Sequence, residues 1–155
     1  MRLFALAIGV ASLLVAAPAG AQVEKVRAGS LDAPGLPEDL FDLPPGGWAT
    51  AKQLWAGRDP CTVDQCEAGY TSGDMVVSVE RSKEFVRVVG GFRNCANVAW
   101  NQFEVGTKAS KSDTKKIASR VKRVLKTSAK YCKVTAPAVP TLDATLLFPP
   151  RPEGA

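Results

Sequence analysis

The stretch Met75-Val-Val-Ser-Val-Glu-Arg-Ser-Lys-Glu-Phe-Val-Arg-Val-Val89 decides the fold. Its two ends, 75–79 and 85–89, are rich in β-branched side chains, and the polar residues 80–84 between them read as a connection. The pattern predicts a hairpin, although it lacks the Asn-Gly pair that marks the tightest turns. Met75, Val77 and Val79 would face one side of the first strand, and Val76, Ser78 and Glu80 the other. On the second strand Phe85 and Arg87 alternate with Val86 and Val88, which leaves its inward set open. An isolated hairpin is marginal in water, so a third strand is expected. Residues 98–105, Val-Ala-Trp-Asn-Gln-Phe-Glu-Val, supply one beyond Gly90-Gly91, which reads as a bend ending the second strand.

Downstream, residues 112–133 carry the strongest helical period. Ile117, Val121, Val124, Leu125 and Ser128 recur at three- and four-residue intervals, with Tyr131 and Cys132 closing the stripe. Ser112 or Asp113 would cap its start. The opposite side carries Lys115, Lys116, Lys122, Arg123, Lys126, Lys130 and Lys133. The expected class is therefore α+β: a small antiparallel sheet of three or more strands packed against a long C-terminal amphipathic helix, with two disulfides.

Upstream, residues 22–47 hold Pro34, Pro37, Pro44 and Pro45 with Gly35, Gly46 and Gly47, a composition that excludes a long helix. They read as an arm lying along the domain, with Leu36, Leu40, Phe41 and Leu43 able to form one helical turn near Pro37. Residues 48–55 have good helix formers and Gly57 as a stop, which would put Trp48 and Trp55 on one face as core anchors. Residues 57–73 read as connection. Beyond the helix, residues 134–155 form a Pro-rich tail, in which 142–148 could add an edge strand or pack into a groove and the last residues would be disordered. The disulfide-stapled domain is thus expected over 48–133.

At the other end, Met1-Arg2 is followed by an apolar run to Ala17, Pro18 and the small residues Ala19-Gly20-Ala21. One positive charge, an apolar core and a small-residue site are what the export machinery reads, so residues 1–21 are expected to be a signal peptide cleaved after Ala21. The run is too short for an uncleaved span of about 20 apolar residues. No Cys lies near the site to carry a lipid. The remaining 134 residues then belong in the periplasm or outside the cell, with no transmembrane segment.

All four cysteines, Cys61, Cys66, Cys95 and Cys132, follow the cleavage site, and an even count in an oxidising compartment reads as two disulfides. Three pairings exist. Cys61 and Cys66 lie close enough to staple a local loop, which leaves Cys95 to join Cys132 and tie the helix end to the sheet. A zinc site would want a second close Cys pair or a His, and neither is present. The CxxC spacing of a redox pair is absent as well.

The formal charge of +5 hides an asymmetry. Residues 108–133 hold ten Lys or Arg against Asp113 alone, a net of +9. Such density, with no balancing Glu, makes Lys115, Lys116, Lys122, Arg123, Lys126 and Lys130 a candidate contact surface for an acidic protein or an anionic envelope polymer. Nucleic acid is disfavoured by export and by the lack of interleaved aromatics.

Catalytic groups are sparse. With no His, the commonest general base and the Ser-His-Asp and Cys-His arrangements are missing. A hydrolase would have to use carboxylates, with Asp59, Asp64, Glu67 and Asp74 as candidates at a defined separation across a cleft. Gly90-Gly91 is no nucleotide fingerprint, so no cofactor is expected. The loop Cys61-Thr-Val-Asp-Gln-Cys66 resembles, over six residues, the short cysteine-closed loop that periplasmic inhibitors of vertebrate-type lysozyme project from an α+β domain. In that family the loop carries a His, where this chain has Asp64-Gln65 and no His. The resemblance implies a second binding mode, inhibition of a cell-wall hydrolase through this loop. The leading expectation is a non-enzymatic binding protein acting through the basic helix.

Overall fold

The computed structural model describes residues 25–50, 53, 61–62, 64–83, 85–105 and 110–148. The expected signal peptide, the last residues of the tail, Trp55 and Asp59 lie outside the described residues. Among the described residues six strands form one antiparallel sheet: β1 Arg27–Ser30, β2 Gly46–Thr50, β3 Gln65–Ser72, β4 Met75–Ser82, β5 Phe85–Phe92 and β6 Asn97–Glu104, in the order β1-β6-β5-β4-β3-β2. One long helix, α1 Lys111–Cys132, packs over β5 and β6. The fold is a six-stranded α+β arrangement with two disulfides, Cys61–Cys66 and Cys95–Cys132.

The hairpin is tighter and longer than its polar centre suggests. Ser82 pairs with Phe85, leaving Lys83 and Glu84 as a two-residue connection, and Lys83 takes a φ of 51° in the left-handed region. Residues 80–82 belong to β4. Alternation then holds along the whole strand. Met75, Val77 and Val79 join Val86, Val88, Ile117, Val124 and Leu125 in the core beneath the helix. Val76 points the other way, into a second core with Val89, Val98, Leu36, Leu40 and Leu43.

That second core explains the arm. Leu40 and Leu43 are almost fully buried on the sheet face opposite α1, carried by a 3-10 helix, Leu40–Asp42. Full burial of such a side chain contributes about 1.5–3 kcal/mol. Arg93 fastens the arm by donating to the carbonyls of Phe41 at 3.2 Å and Leu43 at 2.6 Å. The arm also supplies one edge strand of the sheet, β1, which pairs with β6, and begins the other, β2, which pairs with β3.

Three further expectations need correction. Trp48 to Thr50 extend as the end of β2 instead of opening a helix; Gln53 is helical, and the remainder of that stretch lies outside the described residues. Residues 65–72 are not a connection but β3, paired along its full length with β4. Its Ala68 and Gly69 carry little strand propensity, and the flanking strands override that. Gly90 and Gly91 do not end β5; both are buried within it. A Cβ on Gly90 would lie 3.0 Å from Leu125 Cδ2 and 3.1 Å from Val124 Cγ1, and one on Gly91 would lie 2.8 Å from Val98 Cγ1. The missing side chain of Gly90 lets the helix approach the sheet closely, and that of Gly91 makes room for Val98 and Phe41 on the opposite face. Of the two readings of residues 142–148, packing holds and the edge strand does not: Leu142 and Leu147 are buried in the core beneath the helix, Leu147 on a 3-10 helix, Ala144–Leu147.

Candidate functional site

The basic surface depends on how α1 is fixed at both ends. Ser110, not Ser112 or Asp113, caps its start: the Ser110 Oγ accepts from the Asp113 backbone N–H at 3.0 Å and donates to Asp113 Oδ2 at 2.8 Å. The cap with an acid three residues on resembles a capping box, and it places the one carboxylate of the helix at the positive end of the dipole. At the other end Lys133 turns left-handed with a φ of 55°, and the Val134 N–H donates to the Ala129 carbonyl at 3.1 Å. Cys132 locks this end to Cys95, just past β5.

Between these anchors the apolar stripe faces the sheet. Ile117, Val121, Val124, Leu125 and Ser128 are buried as the period requires, but Tyr131 lies outside the stripe and is 60% exposed. Lys115, Lys116, Lys122, Arg123, Lys126 and Lys130 are all exposed. At 3.6 residues per turn they fall within an arc of roughly 120° along a helix about 33 Å long. Among the described residues none of the six is in an ion pair. Arg120, on the flank, lies over the Phe103 ring at 5.6 Å from its centroid. Partial burial, and secondarily the neighbouring charge of Arg123, hold its pKa below the ordinary guanidinium value.

The candidate carboxylates do not share such a surface. Asp64 lies in the Cys61–Cys66 loop and Asp74 in the turn after β3, so the eight-residue strand, roughly 25 Å long, separates them. Glu67 accepts from Ser78 Oγ at 3.1 Å, and Asp74 accepts from Asn94 Nδ2 at 3.1 Å. Asp64 and Asp74 thus flank opposite ends of β3, and Asp59 is outside the described residues.

The Cys61–Cys66 loop leads into β3 beside the β4–β5 turn, where the Lys83 N–H donates to the Asp64 carbonyl at 2.8 Å. Thr62 Oγ1 accepts from the Gln65 N–H at 3.1 Å, the Thr62 N–H donates to the Gln65 carbonyl at 2.9 Å, and Asp64 and Gln65 remain exposed. Beneath it lies a residue the sequence reading missed. Arg81 is 1% exposed, donates through Nε to the Leu147 carbonyl and through Nη2 to the Thr62 carbonyl, and lies over the Phe148 ring at 4.7 Å from its centroid. Burial lowers its pKa, and the charge of Asp64 opposes that shift. The signal was present in the alternation Met75, Val77, Val79, Arg81, which puts the guanidinium on the core face.

Compared with known proteins, the chain matches no family model, no curated protein and no solved structure. Among the described residues no helix is long and apolar enough to cross a membrane, and no group of three or more His, Cys, Asp or Glu is placed to hold a metal ion.

Proposed function

We propose that the chain is an exported, non-enzymatic binding protein whose α1 stripe contacts an acidic protein or an anionic polymer of the cell envelope. The observation that carries this reading is the run of six exposed cations, none in an ion pair among the described residues, on a helix anchored by a cap and a disulfide. An ordinary surface helix mixes signs at i,i+4 and avoids the repulsion. Export is supported by the Met1–Ala21 pattern and by two disulfides, which persist in oxidising compartments. Long-range attraction would speed encounter with an anionic partner, and the interaction would weaken as salt shortens the Debye length.

The test is a photo-crosslinking amino acid at Ser119, exposed within the same arc of the helix, in intact cells, with adducts identified by mass spectrometry. A specific anionic adduct that disappears in the K122E/R123E/K126E variant, with little change in melting temperature, supports the proposal. Adducts of unchanged identity and yield in that variant remove the helix from the function.

A second reading is favoured by the exposed, internally hydrogen-bonded Asp64-Gln65 tip of the Cys61–Cys66 loop: inhibition of a cell-wall hydrolase. Muramidase activity that is unaffected by a stoichiometric amount of the protein would dispose of it.

A further inference from the structure

One flank of α1 does not close onto the sheet. Between it and the extended segment 134–142 the described residues line a groove of about 910 Å³. That volume lies at the upper end of the range for small-molecule sites, roughly 300–1,000 Å³. Val121, Leu125 and Ala129 of the helix form one wall, and Val139 and Leu142 face them, with Trp48 at the side. Lys122, Lys126 and Lys130, spaced four residues apart, stand along the helix edge of the same groove. No carboxylate lines it.

The lining selects among anionic occupants. A peptide laid in the groove would bring backbone N–H and C=O groups that must find partners, because burying them unpaired is costly. The 134–142 wall cannot give a peptide strand an unbroken ladder, because its two prolines, three residues apart, interrupt both alternating edges. Pro137 and Pro140 have no N–H, and the Pro140 carbonyl is already taken by Trp48 Nε1 at 2.7 Å. An aliphatic chain asks for none of these bonds and gains by leaving water. The groove runs beside the helix from Ala118 to Lys130, about 18 Å at 1.5 Å per residue. The three ammonium groups are spread over about 12 Å of helix, so a negative head group anywhere along that margin has a cation beside it.

We propose that this groove binds a single-chain anionic amphiphile, a long-chain carboxylate, with its acyl chain on Val121, Leu125, Ala129 and Leu142 and its head group at the edge lined by Lys122, Lys126 and Lys130. The assignment rests on the reading of the α1 stripe as an anion-binding surface and gives that surface a ligand class.

The experiment is calorimetric titration of the disulfide-bonded protein with sodium laurate below its micellar concentration, with 1-dodecanol as the uncharged control. Saturable one-to-one binding is expected, at least tenfold tighter for laurate than for dodecanol. The K122E/K126E/K130E variant should lose at least tenfold in affinity. Ala129→Phe keeps every charge and fills the floor, so it should abolish binding; Ala118→Phe, at a half-exposed position on the same wall, repeats the test should the first variant fold poorly. Equal binding of laurate and dodecanol, laurate affinity unchanged by the groove-filling variants, or preferential capture of a glutamate-rich peptide over laurate overturns the assignment. The broader reading fails separately, through cross-links that persist after K122E/R123E/K126E. Loss of those cross-links alongside no laurate binding would refute the acyl groove and leave the anionic contact standing.

Discussion

The two disulfides should differ in strength by an amount set by where they sit in the chain. Cys95–Cys132 closes a loop over a sequence separation of 37, and Cys61–Cys66 over a separation of 5. Chain entropy removed from the unfolded ensemble then corresponds to about 4 kcal/mol for the first and about 2 kcal/mol for the second. Substituting cysteines outright would confuse this comparison, because Cys66 is buried at 3% exposure and its truncation would also leave a void. The cleaner measurement uses two single-disulfide variants, C61A/C66A and C95A/C132A, each unfolded in urea in its oxidised and its reduced form. Oxidation then changes only the cross-link. With an m-value of about 2 kcal/mol per molar, the midpoint should move by about 2 M for Cys95–Cys132 and about 1 M for Cys61–Cys66. A shift for Cys95–Cys132 that equals or falls below that of the short loop would refute the view that this bond stabilises by joining distant segments, helix end to sheet.

Other perturbations test the packing and the buried charge. Gly90→Val should destabilise by about 1–3 kcal/mol in urea titration, because even its Cβ would crowd Leu125 and Val124; a neutral substitution would mean that α1 does not sit this close to β5. Arg81→Ala should cost about 3 kcal/mol, since it strips the Leu147 and Thr62 carbonyls of their donor, and hydrogen exchange should rise selectively in the Cys61–Cys66 loop and around 144–148. Uniform exchange behaviour would contradict its role in tying those segments together. The Asp143 carboxylate accepts from the Thr145 N–H at 3.0 Å, which holds its pKa below the ordinary carboxylate value. A depressed pKa contributes stability that is present above the unfolded value and lost as pH falls through the folded one. NMR titration should therefore find Asp143 ionising below the ordinary aspartate value, with Asp143→Asn erasing the contribution lost on the acid side; an Asp143 titrating at or above that value would remove the cap.

What the sequence made legible was the part of the fold written in side-chain period. The Met75 to Val89 hairpin and the α1 stripe each announce their buried face by spacing, and both disulfide pairs follow from which cysteines can reach one another. What it hid was structure held by neighbours. β3 has Ala68 and Gly69 where a self-evident strand would have β-branched residues, and it becomes a strand because β2 and β4 pair with it on both sides. Gly90-Gly91 carries the signature of a bend, and only the approach of Leu125 and Val98 shows why two glycines lie inside a strand. The six cations were readable as one face. The groove beside three of them was not, because its other wall, 134–142, has no period to place it.

The cost of that charged face can be set against what restrains it. Lys111–Lys115, Lys116–Arg120, Lys122–Lys126 and Lys126–Lys130 are like-charge pairs four residues apart, and at about 0.2–0.5 kcal/mol each they oppose the helix by roughly 1–2 kcal/mol. The long-range disulfide at Cys132 offsets about twice that, and the Ser110 cap adds about 1 kcal/mol at the other end. The repulsion is therefore small beside the restraints placed at the two ends of the same helix. An uncompensated stripe can persist in this fold without a partner, so its cations stay exposed, and burial in a complex would release both the repulsion and the lysines' attraction for solvent anions.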